Sequence, residues 1–321
     1  MRDAFVAKLL ELGRKDPRIV LITGDLGFGV LNEFVATLPG QFINAGVAEQ
    51  NMTMLATGMA LSGWKAFTYS IANFATLRCL EQIRNDACYH DAKVTIVSIG
   101  GGFSYGQLGM SHFATEDLAI LRALPNLRVI TPAETWEAQD LLEEDIKLPG
   151  PSYFRIDKSS GGIPRSAEER SRLGVARVLA EGRDVTLVTV GGILAEAVAA
   201  AKMLQDDGIS ARVLSLPSLK PLDEGAILAA ARETGGIVTL EEHTIVGGLG
   251  SAIAECCLSA GAAPGFFLRL GLPDVFSTVV GDQYYLRRHF GLDAEAVAAK
   301  TRAAVSGPGR TNLRRHRSDR S

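Results

Sequence analysis

The sequence predicts an α/β protein of two consecutive domains, each built on a mainly parallel sheet. Three observations carry this. Short runs of apolar residues alternate with segments of helical period, and repeated strand–helix alternation argues a parallel sheet. The runs are apolar throughout rather than at every second residue, as in strands covered on both faces. The alternation breaks once, between about Lys158 and Arg183, and then restarts. A length of 321 residues suits two domains of ordinary size.

The elements follow in order. Residues 2–14 have helical period, and Ile19-Val20-Leu21-Ile22-Thr23 is a buried-type strand. Gln41 to Asn44 read as the end of a second strand. Apolar residues then recur at Ala48, Met52, Leu55 and Met59, which predicts a helix over about 48–62. A further helix is expected over 73–88, then a strand at Val94-Thr95-Ile96-Val97-Ser98-Ile99. Thr131-Pro132-Ala133-Glu134 has capping-box spacing with proline at the first helical position, so a helix is expected to start there. Tyr153-Phe154-Arg155-Ile156 closes the first domain, 1–157. Ser159-Ser160-Gly161-Gly162, Pro164 and a polar charged stretch mark a linker, 158–183. Val185–Val190, Arg212–Leu216, Gly236–Leu240 and Phe266–Arg269 supply the strands of a smaller second domain, 184–305. Residues 306–321 hold Arg310, Arg314, Arg315, Arg317 and Arg320 among small polar residues and read as a solvated basic tail.

Composition excludes several function classes. The chain is 47% hydrophobic and 21% charged with a formal net charge of −3. Without a general basic excess to neutralise phosphates, nucleic-acid binding is not expected. No apolar run reaches the length that crosses a bilayer, and the first residues start an amphipathic helix without a signal-peptide core. Cys79, Cys88, Cys256 and Cys257 form no C-x-x-C pair, which fits a reducing, cytoplasmic setting.

Gly46-Val47-Ala48-Glu49-Gln50-Asn51-Met52-Thr53 is the most informative stretch. It puts one carboxylate at the mouth of a helix, directly after a glycine turn, where the helix dipole favours negative charge. Taken alone, Glu49 reads as an ordinary first-turn acid. Two later segments change that. Tyr69-Ser70-Ile71-Ala72-Asn73-Phe74 is followed by Arg78 and Glu81-Gln82-Ile83-Arg84, and Gly106-Gln107-Leu108-Gly109-Met110-Ser111-His112 ends a glycine-rich loop. In order and spacing the three resemble the glutamate motif, aromatic segment and substrate-histidine loop of the transketolases. The resemblance runs from about Arg2 to about Ala304. It implies a pyrimidine-type thiamine-diphosphate-binding domain followed by a transketolase C-terminal-like domain.

The resemblance also implies roles. Thiamine diphosphate is activated when a carboxylic acid hydrogen-bonds its aminopyrimidine and drives the ring amino group to the imino form, which deprotonates the thiazolium carbon. An acid in apolar surroundings can make that bond near neutral pH, and by resemblance Glu49 is this residue. Phe74 matches the ring that stacks on the aminopyrimidine. Ile71 stands where many relatives have a second Phe. His112 matches the histidine that contacts the donor's hydroxyl and handles its protons. Arg2 and Lys158 fall where relatives hold a substrate phosphate, with lysine acting as a point charge; both also read as solvated surface charge. Asp25 resembles a cofactor-side Asp. The glycines at 100 and 102 are followed by Tyr105 where a dinucleotide fingerprint needs its third glycine. His90, His243, His289 and His316 gain no role, and Glu241-Glu242-His243 is expected to be structural or to lie at a subunit contact.

Two departures shape the functional expectation. Transketolases carry Asp where this chain has Leu108, and that Asp recognises a donor hydroxyl; its loss points to a deoxy, branched or otherwise altered ketose. The Gly-Asp-Gly motif and later asparagines that grip diphosphate and magnesium are missing, and no Asp, Asn or His cluster has metal-ligand spacing. The expectation is therefore one half of a split transketolase. An amino-terminal partner subunit would bring the diphosphate grip and the magnesium ligands. Self-association through the pyrimidine domain would give two copies of each chain, a heterotetramer. The reaction expected is transfer of a two-carbon ketol unit from a ketose phosphate to an aldose phosphate. The alternatives are a 1-deoxyxylulose-5-phosphate synthase-like subunit, a 2-oxoacid dehydrogenase beta-like subunit and a non-catalytic binding paralogue.

Overall fold

The computed structural model describes residues 1–307; the basic run of the expected tail, from residue 308, lies outside the described residues. The first sheet uses β1 Ile19–Thr23, β2 Phe42–Asn44, β3 Lys65–Ile71, β4 Val94–Ile99, β5 Arg128–Ile130 and β6 Ser152–Ile156. The second uses β7 Arg177–Ala180, β8 Val185–Val190, β9 Ala211–Leu216, β11 Ile237–Thr244 and β12 Phe267–Leu272. Between β9 and β11 in the chain, β10, Ser218–Lys220, crosses to the first sheet. The orders are β10-β5-β6-β4-β3-β1-β2 and β12-β11-β8-β9-β7. Pairing is parallel except at two edges, where β10 meets β5 and β7 meets β9 antiparallel. The stretch expected to be a linker thus also contributes an edge strand, residues 177–180.

The apolar runs are two-faced strands because alternate residues enter different cores. In β1, Ile19 and Leu21 pack with Phe5, Leu9, Phe34 and Leu141 on one face, under the helices Arg2–Lys15 and Thr135–Asp145. Val20 and Ile22 face the other way, toward Met52, Ala56, Ile83 and Leu118. That second cluster continues into the other domain through Val188, Leu214 and Ile227, so the two sheets share a core.

One strand was not expected, and two helix expectations need correction. β3, an interior strand, has no counterpart among the expected strands; Ala66 to Ser70 are all buried between β1 and β4. The expected helix 73–88 is broken into the short helix Ala72–Ala75, a 3₁₀ turn, the short helix Leu80–Gln82 and the π-helical turn Ile83–Cys88. The helix expected at Thr131 starts at Thr135. Its capping box is Glu134 with Glu137, and the Thr131 hydroxyl is spent on the Leu216 carbonyl.

Candidate active site

The carboxylate at the start of helix Glu49–Leu61 is held by its own approach. β2 ends at Asn44, whose side-chain Oδ1 accepts from the backbone N–H groups of Asp25 and Gly46, both at 3.0 Å. Asn44 Nδ2 donates to Asp25 Oδ1 at 2.9 Å. Asp25 itself adopts φ +57°, a left-handed turn that this side-chain bonding supports. The turn delivers Glu49 to the interior at 3% exposure. The helix buries Met52, Thr53, Ala56 and Thr57 rather than the expected run of purely apolar residues. The threonines fit because their hydroxyls donate to carbonyls four residues back, Glu49 O and Thr53 O, each at 3.0 Å.

Glu49 is not in purely apolar surroundings. Arg78 Nη1 donates to Glu49 Oε2 at 2.8 Å, and Arg78 is itself half exposed. From there a continuous line of side chains crosses the surface. The Arg78 guanidinium lies 4.3 Å from the centre of the Phe74 ring. Phe74 meets His112 edge-on, centroids 5.2 Å apart at 68°. The His112 ring is 6.4 Å from that of Tyr105, and Lys158 Nζ sits 3.6 Å over the Tyr105 ring. Ser111 Oγ lies 3.0 Å from His112 Nδ1. Asn73 Nδ2 donates to Ser111 O at 3.3 Å, tying the aromatic turn to the histidine loop. Asn73 Oδ1 is buried and has no hydrogen-bond partner among the described residues.

Two cavities flank the line. One, about 480 Å³, is lined by residues 47–51 with Met54 and Arg78, so Glu49 faces it. The other, about 400 Å³, is lined by residues 1–4 with Thr135 and Lys158, which brings Arg2 and Lys158 to one hollow. Arg2 is paired with Asp3 at 2.9 Å. Burial, and then the positive charge of Arg2, push the Lys158 ammonium below the ordinary lysine value.

The expected residues are therefore brought together unequally. Glu49, Phe74, His112 and Lys158 share one line of contacts, and Arg2 joins at its end. Asp25 connects through Asn44 only. Ile71 is half buried at the entry to the Phe74 turn. Leu108 stands 55% exposed on the loop's 3₁₀ turn, outside the line. Two participants had no expected role. Arg78 carried only the signal of its place in the aromatic motif. Tyr105 was read as spoiling a glycine pattern; Gly100, at φ +97°, leaves the space that this ring fills, since a Cβ there would strike it. The segment Glu241-Glu242-His243 was expected to be structural or to lie at a subunit contact. It is buried at the seam between the sheets, not at an outer surface. Glu241 accepts from the N–H groups of Leu249 and Gly250 at the head of a helix, at 2.7 and 2.9 Å.

Among the described residues no group of three His, Cys, Asp or Glu side chains is arranged to hold a metal ion. Nor is any helix there long and apolar enough to cross a membrane.

Two mainly parallel-sheet domains in series, with a buried acid at a helix mouth beside a half-buried aromatic–histidine pair, define a two-domain α/β protein with a carboxylate–aromatic–histidine site. Residues 1–163 match the model of the transketolase pyrimidine-binding domain, and residues 174–297 that of the transketolase C-terminal domain. The chain belongs to the transketolase family. It is 37% identical over 298 residues to a subunit of the apulose-4-phosphate transketolase of Phocaeicola vulgatus, covering 92% of this chain and 94% of that one. A 6-deoxy-6-sulfo-D-fructose transketolase subunit of a Clostridium species is 36% identical over 315 residues, covering 98% and 96%. A 1-deoxy-D-xylulose-5-phosphate synthase of Geobacter sulfurreducens is 35% identical over 304 residues, which are 94% of this chain but 47% of the synthase. Among solved structures, a split-gene transketolase described as an inactive beta4 tetramer superposes with a TM-score of 0.85 at 37% identity, covering 95% and 97%.

Proposed function

We propose that this chain is one subunit of a thiamine-diphosphate-dependent transketolase that moves a two-carbon ketol unit from a ketose, or ketose phosphate, to an aldose acceptor. The observation that carries the reading is the continuous line from the buried Glu49 through Phe74 to His112. When bound, thiamine diphosphate supplies a nucleophilic thiazolium carbon that adds to the ketose carbonyl and permits carbon–carbon cleavage. The residues here suit the ring end of that cofactor: Glu49 is a buried carboxylate lining an open cavity, and Phe74 presents a half-buried aromatic face next to it.

In this reading Glu49 hydrogen-bonds the aminopyrimidine, Phe74 stacks on it, and Asp25 and Ile71 border the cofactor. Arg78 would hold the Glu49 carboxylate before loading and move aside as the ring takes its place. His112 holds and moves the proton of a donor hydroxyl. Arg2 and Lys158 are two cations sharing one hollow, an arrangement relieved by an anion such as the substrate phosphate. Leu108 offers no polar group, which suits a donor lacking one hydroxyl or branched there.

The partner is proposed to be an amino-terminal transketolase subunit carrying Gly-Asp-Gly, which would provide the magnesium ligands and the diphosphate grip. Two copies of each chain would assemble. Support comes from the near-full-length match to proteins described as subunits and to a split-gene enzyme. The test is reconstitution with such a partner. Glu49→Ala is expected to abolish ketol transfer to a phosphorylated aldose while the two chains still co-elute. Near-normal turnover by that variant would refute the assignment. Release of carbon dioxide from pyruvate with a glyceraldehyde phosphate acceptor would instead mark a synthase.

A further inference from the structure

His112 rides on a loop, residues 100–115, that leaves β4 in the first domain, yet the loop is fastened to the second. Its stem closes as an isolated antiparallel bridge, with Gly102 N–H to Ala114 O at 2.9 Å and Ala114 N–H to Gly102 O at 3.0 Å. Beyond the bridge, Thr115 O accepts from Thr244 N–H of β11 at 2.8 Å. The buried Arg155 Nη2 donates to Ala114 O and to Glu242 O, both at 3.1 Å. Inside the bridge, Phe103 and Phe113 sit in the second domain's core, with Phe103 stacked on Phe290 at 5.4 Å.

One carboxylate joins these contacts. Glu242, on β11 and 3% exposed, accepts the Phe103 backbone N–H at 2.5 Å and Gln283 Nε2 at 2.8 Å through Oε1. Its Oε2 accepts from Arg287 Nε, and Arg287 Nη2 reaches Ser159 Oγ at 3.0 Å. Gly102, at φ +57°, permits the approach, since a Cβ there would run into the Glu242 carboxylate. A buried charge that is paired and accepts a backbone N–H fixes its neighbours in one geometry, and leaves that donor unsatisfied if removed.

We propose that Glu242 is a positioning residue for His112. The second domain sets where the histidine loop stands, and through it the recognition of the donor sugar. The role given to His112 rests on the ketol-transfer reading above; the anchoring of the loop does not. The substitution Glu242→Gln keeps the size of the side chain but leaves one oxygen to serve the Phe103 N–H, Gln283 and Arg287.

The experiment measures amide hydrogen exchange in the chain and donor kinetics in the complex reconstituted with a Gly-Asp-Gly-bearing partner. In Glu242→Gln, exchange of residues 102–114 is expected to rise at least about tenfold, with residues 49–61 and 185–190 unchanged. The KM for the ketose donor is expected to rise at least about tenfold, kcat to fall less than about threefold, and cofactor affinity to hold. Glu242→Asp, which retains the charge opposite Arg287 but shortens the reach to Phe103, is expected to give an intermediate rise in both, and it carries the test if the Gln variant does not fold. Unchanged loop exchange and donor KM in a folded variant would overturn the proposal, as would an equal rise across all three segments. Absence of ketol transfer by the unmutated complex would overturn the proposed function instead, and the exchange measurement would still decide the anchor.

Discussion

At the scale of single residues, the site is a relay of unlike contacts. Glu49 meets a cation, the cation meets an aromatic face, and the ring meets an imidazole edge. A guanidinium over a ring is worth roughly 0.5–2 kcal/mol, so Phe74 supports Arg78 while presenting a face for stacking. Phe74→Leu keeps the apolar volume and loses the ring. It is expected to weaken thiamine diphosphate binding roughly 3- to 10-fold, in line with about 0.5–1.5 kcal/mol for stacking, which calorimetric titration of the assembled complex would check. Lys158→Ala should raise the KM of a phosphorylated donor and leave that of the unphosphorylated sugar alone. Equal effects on both would remove the phosphate role. Glu49 was legible in the sequence because a glycine turn, an acid and a helical stripe stand in fixed order. Arg78 and Tyr105 were not, because a side chain from one turn covering a ring or acid on another leaves no spacing to read.

At the scale of elements, helix Thr135–Asp145 shows how a local motif acquires a pH dependence. Glu137 closes the capping box by accepting from the N–H groups of Ala133 and Glu134, and it is almost wholly buried. Burial pushes its carboxyl from the ordinary 4.5 up to about 7, against the lowering effect of the Ala133 bond and of Arg177. The folded chain therefore keeps a proton between those values that the unfolded chain has released. The contribution is full below pH 4.5 and is lost as pH rises through 7. The loss is of order 3 kcal/mol, at about 1.4 kcal/mol per pKa unit. Glu137→Gln should flatten the fall in unfolding free energy between pH 5 and 7.5 relative to the unmutated chain, as read by urea titration. The box itself was misplaced by three residues in the sequence, because Thr131-Pro132-Ala133-Glu134 satisfies the same pattern. The competing use of Thr131, a bond to Leu216 O from a distant strand, lies outside any local window.

At the scale of the whole molecule, the two sheets are joined through buried charge. Arg155 of β6 donates to Glu242 O of β11 at 3.1 Å and lies 2.9 Å from Asp117, whose carboxylate also accepts the Tyr153 hydroxyl at 2.6 Å. Asp157 accepts from Gly192 N–H at 2.7 Å across the domain boundary. Removing one member of such a set costs roughly 3–5 kcal/mol, because the others stay buried without compensation. Arg155→Met is therefore expected to lower the unfolding free energy by about that much. It should also split a single cooperative transition into two, seen by calorimetry. One unshifted transition would show that the joint carries no coupling.

The sequence by itself determined the alternation of strands and helices, the order of the two domains, and the motif residues Glu49, Phe74 and His112, because each is encoded by neighbours within a few turns. Only the tertiary structure decided that β3 lies inside the sheet between β1 and β4, that Arg78 covers the acid, and that Glu242 holds the histidine loop. Those depend on residues up to 139 positions apart, as for Phe103 and Glu242. Periodicity reports which face of an element is buried, and burial alone does not say which distant side chain will lie against it.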